Sequence, residues 1–174
     1  SSIENGINLI DTAPNYRCER SESVIGKVIK KVDRNDLIIC TKVGFLPYSK
    51  IIPPSDTEFF INKFIKSNIV NKKDVYGDWQ SFHPSYIEWQ LNESLKRLNT
   101  DYIDIYYLHN PEELLEFINI QLFHDILLKA FNFLNKMIDC GKIRYLGISS
   151  WNGFLDNNKL DLNKILSISK SALN

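Results

Sequence analysis

An aspartate, a tyrosine, a lysine and a histidine stand at or just past the ends of three apolar runs. GINLIDTAPNY (Gly6 to Tyr16) carries Asp11 and Tyr16, LIICTKVG (Leu37 to Gly44) carries Lys42, and SLKRLNTDYIDIYYLHNPE (Ser94 to Glu112) carries His109. A fourth run, GKIRYLGISSW (Gly141 to Trp151), stops at Ser149 and Ser150. A phenol, an amine, a carboxylate and an imidazole gathered at one place can transfer a proton to a carbonyl. A free tyrosine has a pKa of about 10, too high for easy donation near neutrality. An adjacent ammonium stabilises the phenolate, and a carboxylate behind the ammonium keeps it charged and oriented. An imidazole can then hydrogen-bond the carbonyl and aim it. On this pattern Tyr16 is expected to be the acid, Lys42 its partner, Asp11 the counter-ion of Lys42, and His109 the orienter. The hydride of a carbonyl reduction lies outside side-chain chemistry and requires a nicotinamide cofactor.

Singly, each residue also has a structural explanation. Asp11 with Thr12 could cap a turn, Tyr16 could pack a loop, and His109 could be an ordinary core histidine. Lys42 is harder to dismiss, because an amine inside an apolar strand is costly unless paired. Their common place at strand ends gives the set its force.

The elements that must position these groups follow from periodicity. Strands are expected over 7–11, 37–43, 103–108 and 143–149. Helices are expected over 21–31, 84–98, 122–139 and 162–172. Ser21 is expected to cap the first helix with Glu22 in its first turn. Pro84 suits a first helical position, and Gly141 stops the third helix. Strands alternating with helices, and nearly continuously apolar, predict an α/β fold with a parallel sheet covered by helices. Residues 45–82 break the rhythm. Ser55 and Glu58 have capping-box spacing there, with Phe60, Ile61, Phe64 and Ile65 able to share a helical face. A connection of this length leaving the strand that carries Lys42 is expected to be a lid-like substrate loop, with a mobile surface insertion as the alternative.

The chain has 174 residues, enough for one domain with a core, and a formal net charge of zero. That balance gives no reason to expect nucleic acid or an anionic membrane surface as a partner. No apolar run approaches the ~20 residues of a membrane span, and the first residues lack the basic and apolar regions of a signal peptide. Cys18, Cys40 and Cys140 are widely spaced and form no CxxC pair, so no metal site or disulfide framework is expected. Idle thiols suit the cytoplasm.

From Gly6 to about Gly153 the order of these segments resembles the aldo-keto reductase superfamily. GINLIDTAPNY and the following SESVIGK, TKVG, the run ending in His109, and GKIRYLGISSW each find a counterpart there. The resemblance implies a (β/α)8 TIM barrel, NADP as cofactor, and reduction of a small aldehyde or ketone, or the reverse oxidation. It implies that Asp11, Tyr16, Lys42 and His109 form the catalytic tetrad. It also implies that Ser149 and Ser150 hold the nicotinamide carboxamide and that Asp11 lies near the nicotinamide ribose. Many members have Gly where Arg17 stands and Asn where Ser150 stands. A full barrel takes about 250 residues. This chain is therefore expected to form a single, partial barrel of about four core strands. The family residues that grip the cofactor's 2′-phosphate have no counterpart in it. Open sheet edges would favour self-association. The rival reading is a non-catalytic binding or regulatory protein that keeps the scaffold, as aldo-keto-reductase-like channel subunits do.

Overall fold

The computed structural model describes residues 3–47, 61–77, 79–155 and 159–172. Its main elements are β1 (Leu9–Asp11), α1 (Arg20–Ile29), β2 (Ile38–Val43), α2 (Pro84–Leu98), β3 (Ile103–His109), α3 (Ile120–Asp139), β4 (Ile143–Ser149) and α4 (Leu162–Ser171). The four strands form one sheet in the order β1-β2-β3-β4, parallel throughout. The register pairs Asp11 with Cys40, Lys42 with Tyr107, and His109 with Ser149. This brings the ends of adjacent strands to one rim.

Strand side chains alternate between two faces. Ile39, Val43, Tyr106 and Leu108 face the helices and join Leu91, Leu98, Phe123, Leu127 and Leu134 in the core. The opposite face carries Leu9, Asp11, Ile38, Lys42, Tyr107, His109 and Tyr145. In a closed barrel that face would be the interior. Here it is partly open, with Leu9 51% and Tyr145 67% exposed.

One close backbone approach and two polar clusters fix the helices and strand ends. Gly26 of α1 lies against α2 so closely that a Cβ would stand 2.1 Å from the Arg97 carbonyl oxygen. Any larger residue there must push the two helices apart. Beside that crossing, the fully buried Glu22 accepts from Thr41 Oγ1 at 2.6 Å and from Arg97 Nε at 2.7 Å, which balances its charge. At the N-terminal ends of the strands, Asp104 accepts from Arg34 Nη2 at 2.6 Å, Arg144 Nη1 at 2.8 Å and the Ile39 amide at 2.8 Å. Both guanidinium groups lie about 4 Å from the Tyr102 ring centre, at 4.0 and 4.1 Å.

The connection after β2 returns to the strand end it leaves. Phe45 and Gln80 form an antiparallel bridge. The Leu46 amide donates to Trp79 O at 2.7 Å, the Ser81 amide to Gly44 O at 2.9 Å, and the Tyr86 hydroxyl to Phe45 O at 2.7 Å. A helical turn over Ile61–Ile65 buries Phe64 against Tyr86 and Trp89. The expected capping pair Ser55 and Glu58, with Phe60, lies outside the described residues.

Some boundaries differ from the sequence expectation. Ser21 does not cap α1. The cap position is Glu19, in the left-handed region at φ 67° with no side-chain cap bond, and Ser21 sits inside the helix. The first strand begins at Leu9 rather than Ile7, although the Ile38 amide still bonds Asn8 O at 2.8 Å. The third helix begins at Ile120 rather than Leu122, because the Asn119 side chain accepts from the Leu122 amide at 2.9 Å and caps it.

Candidate active site

Lys42 is where the site begins. Its side chain is 4% exposed, and its ammonium donates to Asp11 Oδ1 at 2.9 Å, Asp11 Oδ2 at 2.7 Å and the Thr12 carbonyl at 2.9 Å. All three N–H groups are thereby satisfied, and a buried ammonium is tolerable only on such terms. Asp11 is 48% exposed on its outer side, so the pair closes one wall of an open face.

Tyr16 lies across this pair. Its ring centre is 4.9 Å from Lys42 Nζ, and its ring meets His109 edge-on at 6.0 Å between centres. Among the described residues no hydrogen bond joins the Tyr16 hydroxyl to Lys42. Tyr16 ends a turn in which its amide donates to Ala13 O at 3.1 Å, and three left-handed residues, Arg17, Cys18 and Glu19, at φ 52°, 50° and 67°, then lead into α1. Glycine occupies that region without strain, whereas a residue with a Cβ does not. Arg17 therefore adds backbone strain at the residue that follows the phenol.

His109 is buried at the end of β3 between Tyr16 and Phe45, whose ring meets it edge-on at 4.9 Å. Burial pushes its pKa down to about 4, the nearby Lys42 charge pushes the same way, and Asp11 opposes both. The imidazole is neutral near pH 7, with one N–H to donate and one lone pair to accept. Its carbonyl and that of Asn110 each accept from Gln80 Nε2 at 3.0 Å, which ties the returning loop to the rim.

Two more groups share this face. Burial, then the Asp11 charge, raises the Cys40 thiol pKa, so the thiol stays protonated and unreactive. Burial, then Cys40 and Asp11, also raises Tyr107. Its ring centre is 6.0 Å from Lys42 Nζ, so a second phenol lies nearby, but one less suited to give up a proton.

The β4 end supplies the two serines. Ser149 stands beside His109 in register, and its carbonyl accepts from the Asn110 amide at 2.7 Å. Ser150 turns away: its hydroxyl donates to Glu112 Oε1 at 2.6 Å and accepts from the Gly153 amide at 2.8 Å. Thus Asp11, Tyr16, Lys42 and His109 converge, Ser149 flanks them, and Ser150 engages Glu112. Sequence reasoning did not single out the Thr12 carbonyl, Phe45, Gln80 or Glu112. Only Glu112 carried a signal, as a charged residue that becomes buried directly after His109-Asn110-Pro111. Among the described residues no group of three or more His, Cys, Asp or Glu could hold a metal ion. A cavity of about 720 Å³ lined by Asn92, Asn99, Asp101 and Lys142 lies at the other ends of β3 and β4, away from these groups.

The lowered pKa of His109 sets a pH dependence. Between about 6.5 and about 4 the unfolded chain binds a proton that the folded state refuses. The stability His109 contributes is therefore complete above that window and is lost as pH falls through it, by roughly 3 kcal/mol in all. Urea unfolding at about pH 7 and about pH 4.5 checks this. His109→Gln should flatten the His109 part of the slope; an unchanged slope would show that another group carries it.

The aldo/keto reductase family profile matches residues 2–168. The chain is 30% identical over 145 residues to the NADH-specific methylglyoxal reductase of Escherichia coli, covering 83% of this chain and 37% of that protein. It is 31% identical over 151 residues to a putative voltage-gated potassium channel subunit beta of Schizosaccharomyces pombe, covering 86% and 34%. The holo structure of the aldo-keto reductase AKR11C1 from Bacillus halodurans superposes with a TM-score of 0.59 at 30% identity, covering 85% of this chain and 38% of that one. The chain thus spans well under half the length of these relatives, and its parallel sheet is part of their (β/α)8 barrel. On the family match and this architecture together, the chain belongs to the aldo/keto reductase family of oxidoreductases, whose members generally use nicotinamide cofactors.

Proposed function

We propose that the whole protein is an NADP(H)-dependent reductase of small aldehydes or ketones, working in the cytoplasm, with Tyr16 as proton donor. One observation carries this reading: the buried Lys42 ammonium is held by Asp11 and faces the Tyr16 ring beside a neutral His109. A bound nicotinamide would supply the hydride. The donor set fits such a group, because the Ser149 hydroxyl lies next to His109 on the rim, where a carboxamide could be received. In this reading His109 donates to the substrate carbonyl oxygen, and Tyr16 gives its proton to that oxygen as negative charge develops. Lys42 stabilises the phenolate that remains, and Asp11 holds the ammonium in place. Residues 45–47 and 79–82, clasped by the Phe45–Gln80 bridge, are proposed as the base of a substrate loop at the Lys42 end of the sheet. NADP is favoured over NAD on family resemblance; the methylglyoxal reductase relative is named as NADH-specific. The name of that relative also suggests a short α-oxoaldehyde as the first substrate to test. The three free cysteines suit the cytoplasm.

The channel-subunit relative raises the second reading, a non-catalytic binding protein. The convergence of all four chemically active side chains favours catalysis. NADPH consumption with an aldehyde separates the two. Tyr16→Phe should lower kcat by about 10²–10⁴ while leaving NADPH affinity nearly unchanged. Wild-type turnover in that variant would show that another group protonates the product, and absence of NADPH binding by the unmodified protein would favour the second reading.

Two sheet edges unpaired among the described residues, with the exposed Leu9, Ile38 and Tyr145, also lead us to propose that the 174-residue chain by itself self-associates. Size-exclusion chromatography with light scattering should show dimers or larger species that grow with concentration. A monomer at high concentration with one sharp melt would contradict this.

A further inference from the structure

The last residues of β4 and the turn beyond it are held by one carboxylate. Glu112 follows His109-Asn110-Pro111 in a short helical turn over Pro111–Glu116 and is 4% exposed. Its Oε1 accepts from the Ser150 hydroxyl at 2.6 Å and from the Trp151 amide at 3.2 Å. The Ser150 oxygen in turn accepts from the Gly153 amide at 2.8 Å. β4 is the last strand of the sheet among the described residues. Trp151, just past its end, is 77% exposed. The two bonds to Glu112 tie the chain after Ser149 to the rim, and the third closes its turn.

The bonds also decide what the two serines can offer a ligand. A hydroxyl has one proton and two lone pairs. The Ser150 proton is committed to a carboxylate, the strong kind of hydrogen bond, and one of its lone pairs is committed to Gly153. The Ser149 hydroxyl has no hydrogen-bond partner among the described residues and lies beside His109. Glu112 Oε2 is buried without a partner, an arrangement that costs stability. A carboxylate held at that cost points to a positional requirement rather than to packing.

We propose that Glu112 is a positioning residue for the cofactor end of β4. It holds Ser150 and the Trp151–Gly153 turn so that Ser149 alone presents a free hydroxyl to a nicotinamide carboxamide, and Ser150 acts only through Glu112. This inference rests on the nicotinamide-binding reading above, and the test separates the two. NADPH titration of the protein by fluorescence gives affinity, and amide hydrogen exchange at Trp151 and Gly153 gives the state of the turn without cofactor. Glu112→Ala and Ser150→Ala should each weaken NADPH by about tenfold, the loss expected for about one hydrogen bond. The double variant should be no worse than either, as for two residues of one unit. Glu112→Gln keeps an acceptor for Ser150 and Trp151 and should stay within about twofold of the original affinity, with exchange unchanged. Ser149→Ala should weaken NADPH without altering exchange at the turn. Additive losses in the double variant would overturn the proposal. So would a loss confined to Ser150→Ala, which would mean that Ser150 touches the cofactor directly. Unchanged exchange in Glu112→Ala would overturn it too. If the unmodified protein binds no NADPH, the nicotinamide reading fails and the positioning role with it, while faster exchange in Glu112→Ala would still report the Glu112–Ser150 link.

Discussion

An ammonium taken out of water needs several hydrogen bonds and an opposite charge close by, and Lys42 obtains both from a single neighbouring strand end. Its three N–H groups go to the two oxygens of Asp11 and to the Thr12 carbonyl. That requirement fixes how β1 must lie against β2. A slip of one residue would turn Asp11 to the other face of the sheet and leave Lys42 buried and uncompensated. The same requirement places the phenol. The chain that has just supplied Asp11 and Thr12 turns over Ala13 to Tyr16, which sets the Tyr16 ring beside the ammonium, and then passes through Arg17, Cys18 and Glu19 in the left-handed region into α1. His109 then has a positive charge and an apolar wall around it, and both disfavour protonation.

The two ends of the sheet divide the work. At the N-terminal ends, Asp104 accepts from Arg34, Arg144 and the Ile39 amide and so clamps β2, β3 and β4. That arrangement holds the strands together. At the C-terminal ends, the Tyr16 ring, the neutral His109 and the Ser149 hydroxyl remain available. This asymmetry is the one expected of a barrel enzyme, in which stability resides at one face and chemistry at the other. Behind β2, Glu22 and Arg97 satisfy each other and Thr41, so the strand that carries Lys42 is held from both sides.

The parts legible in the sequence were those governed by period and by the cost of burying charge. β4 and α2 have the bounds their apolar spacing predicts, and β2 and β3 differ from expectation by one residue. Lys42 stood out because a lone amine in IICTKV demands a partner. What was not legible depends on tertiary geometry. Ser21 looked like a cap, but the left-handed turn before α1 moves the helix start to Arg20 and leaves Glu19 in the cap position. Gln80 lies far from His109 in sequence and meets its carbonyl only because the long connection folds back on its own origin. The commitment of Ser150 to Glu112 depends on how two strand ends turn over the rim, which no local pattern encodes.

The claim on which the rest depends is that Asp11 and Lys42 act as one unit. A double-mutant cycle with Asp11→Asn, Lys42→Met and the pair, followed by urea unfolding, measures this directly. Removing the carboxylate should destabilise the protein when the ammonium is present and do much less in the Lys42→Met background, giving a coupling of about 1–3 kcal/mol. A coupling near zero, with the two single effects simply adding, would contradict the account.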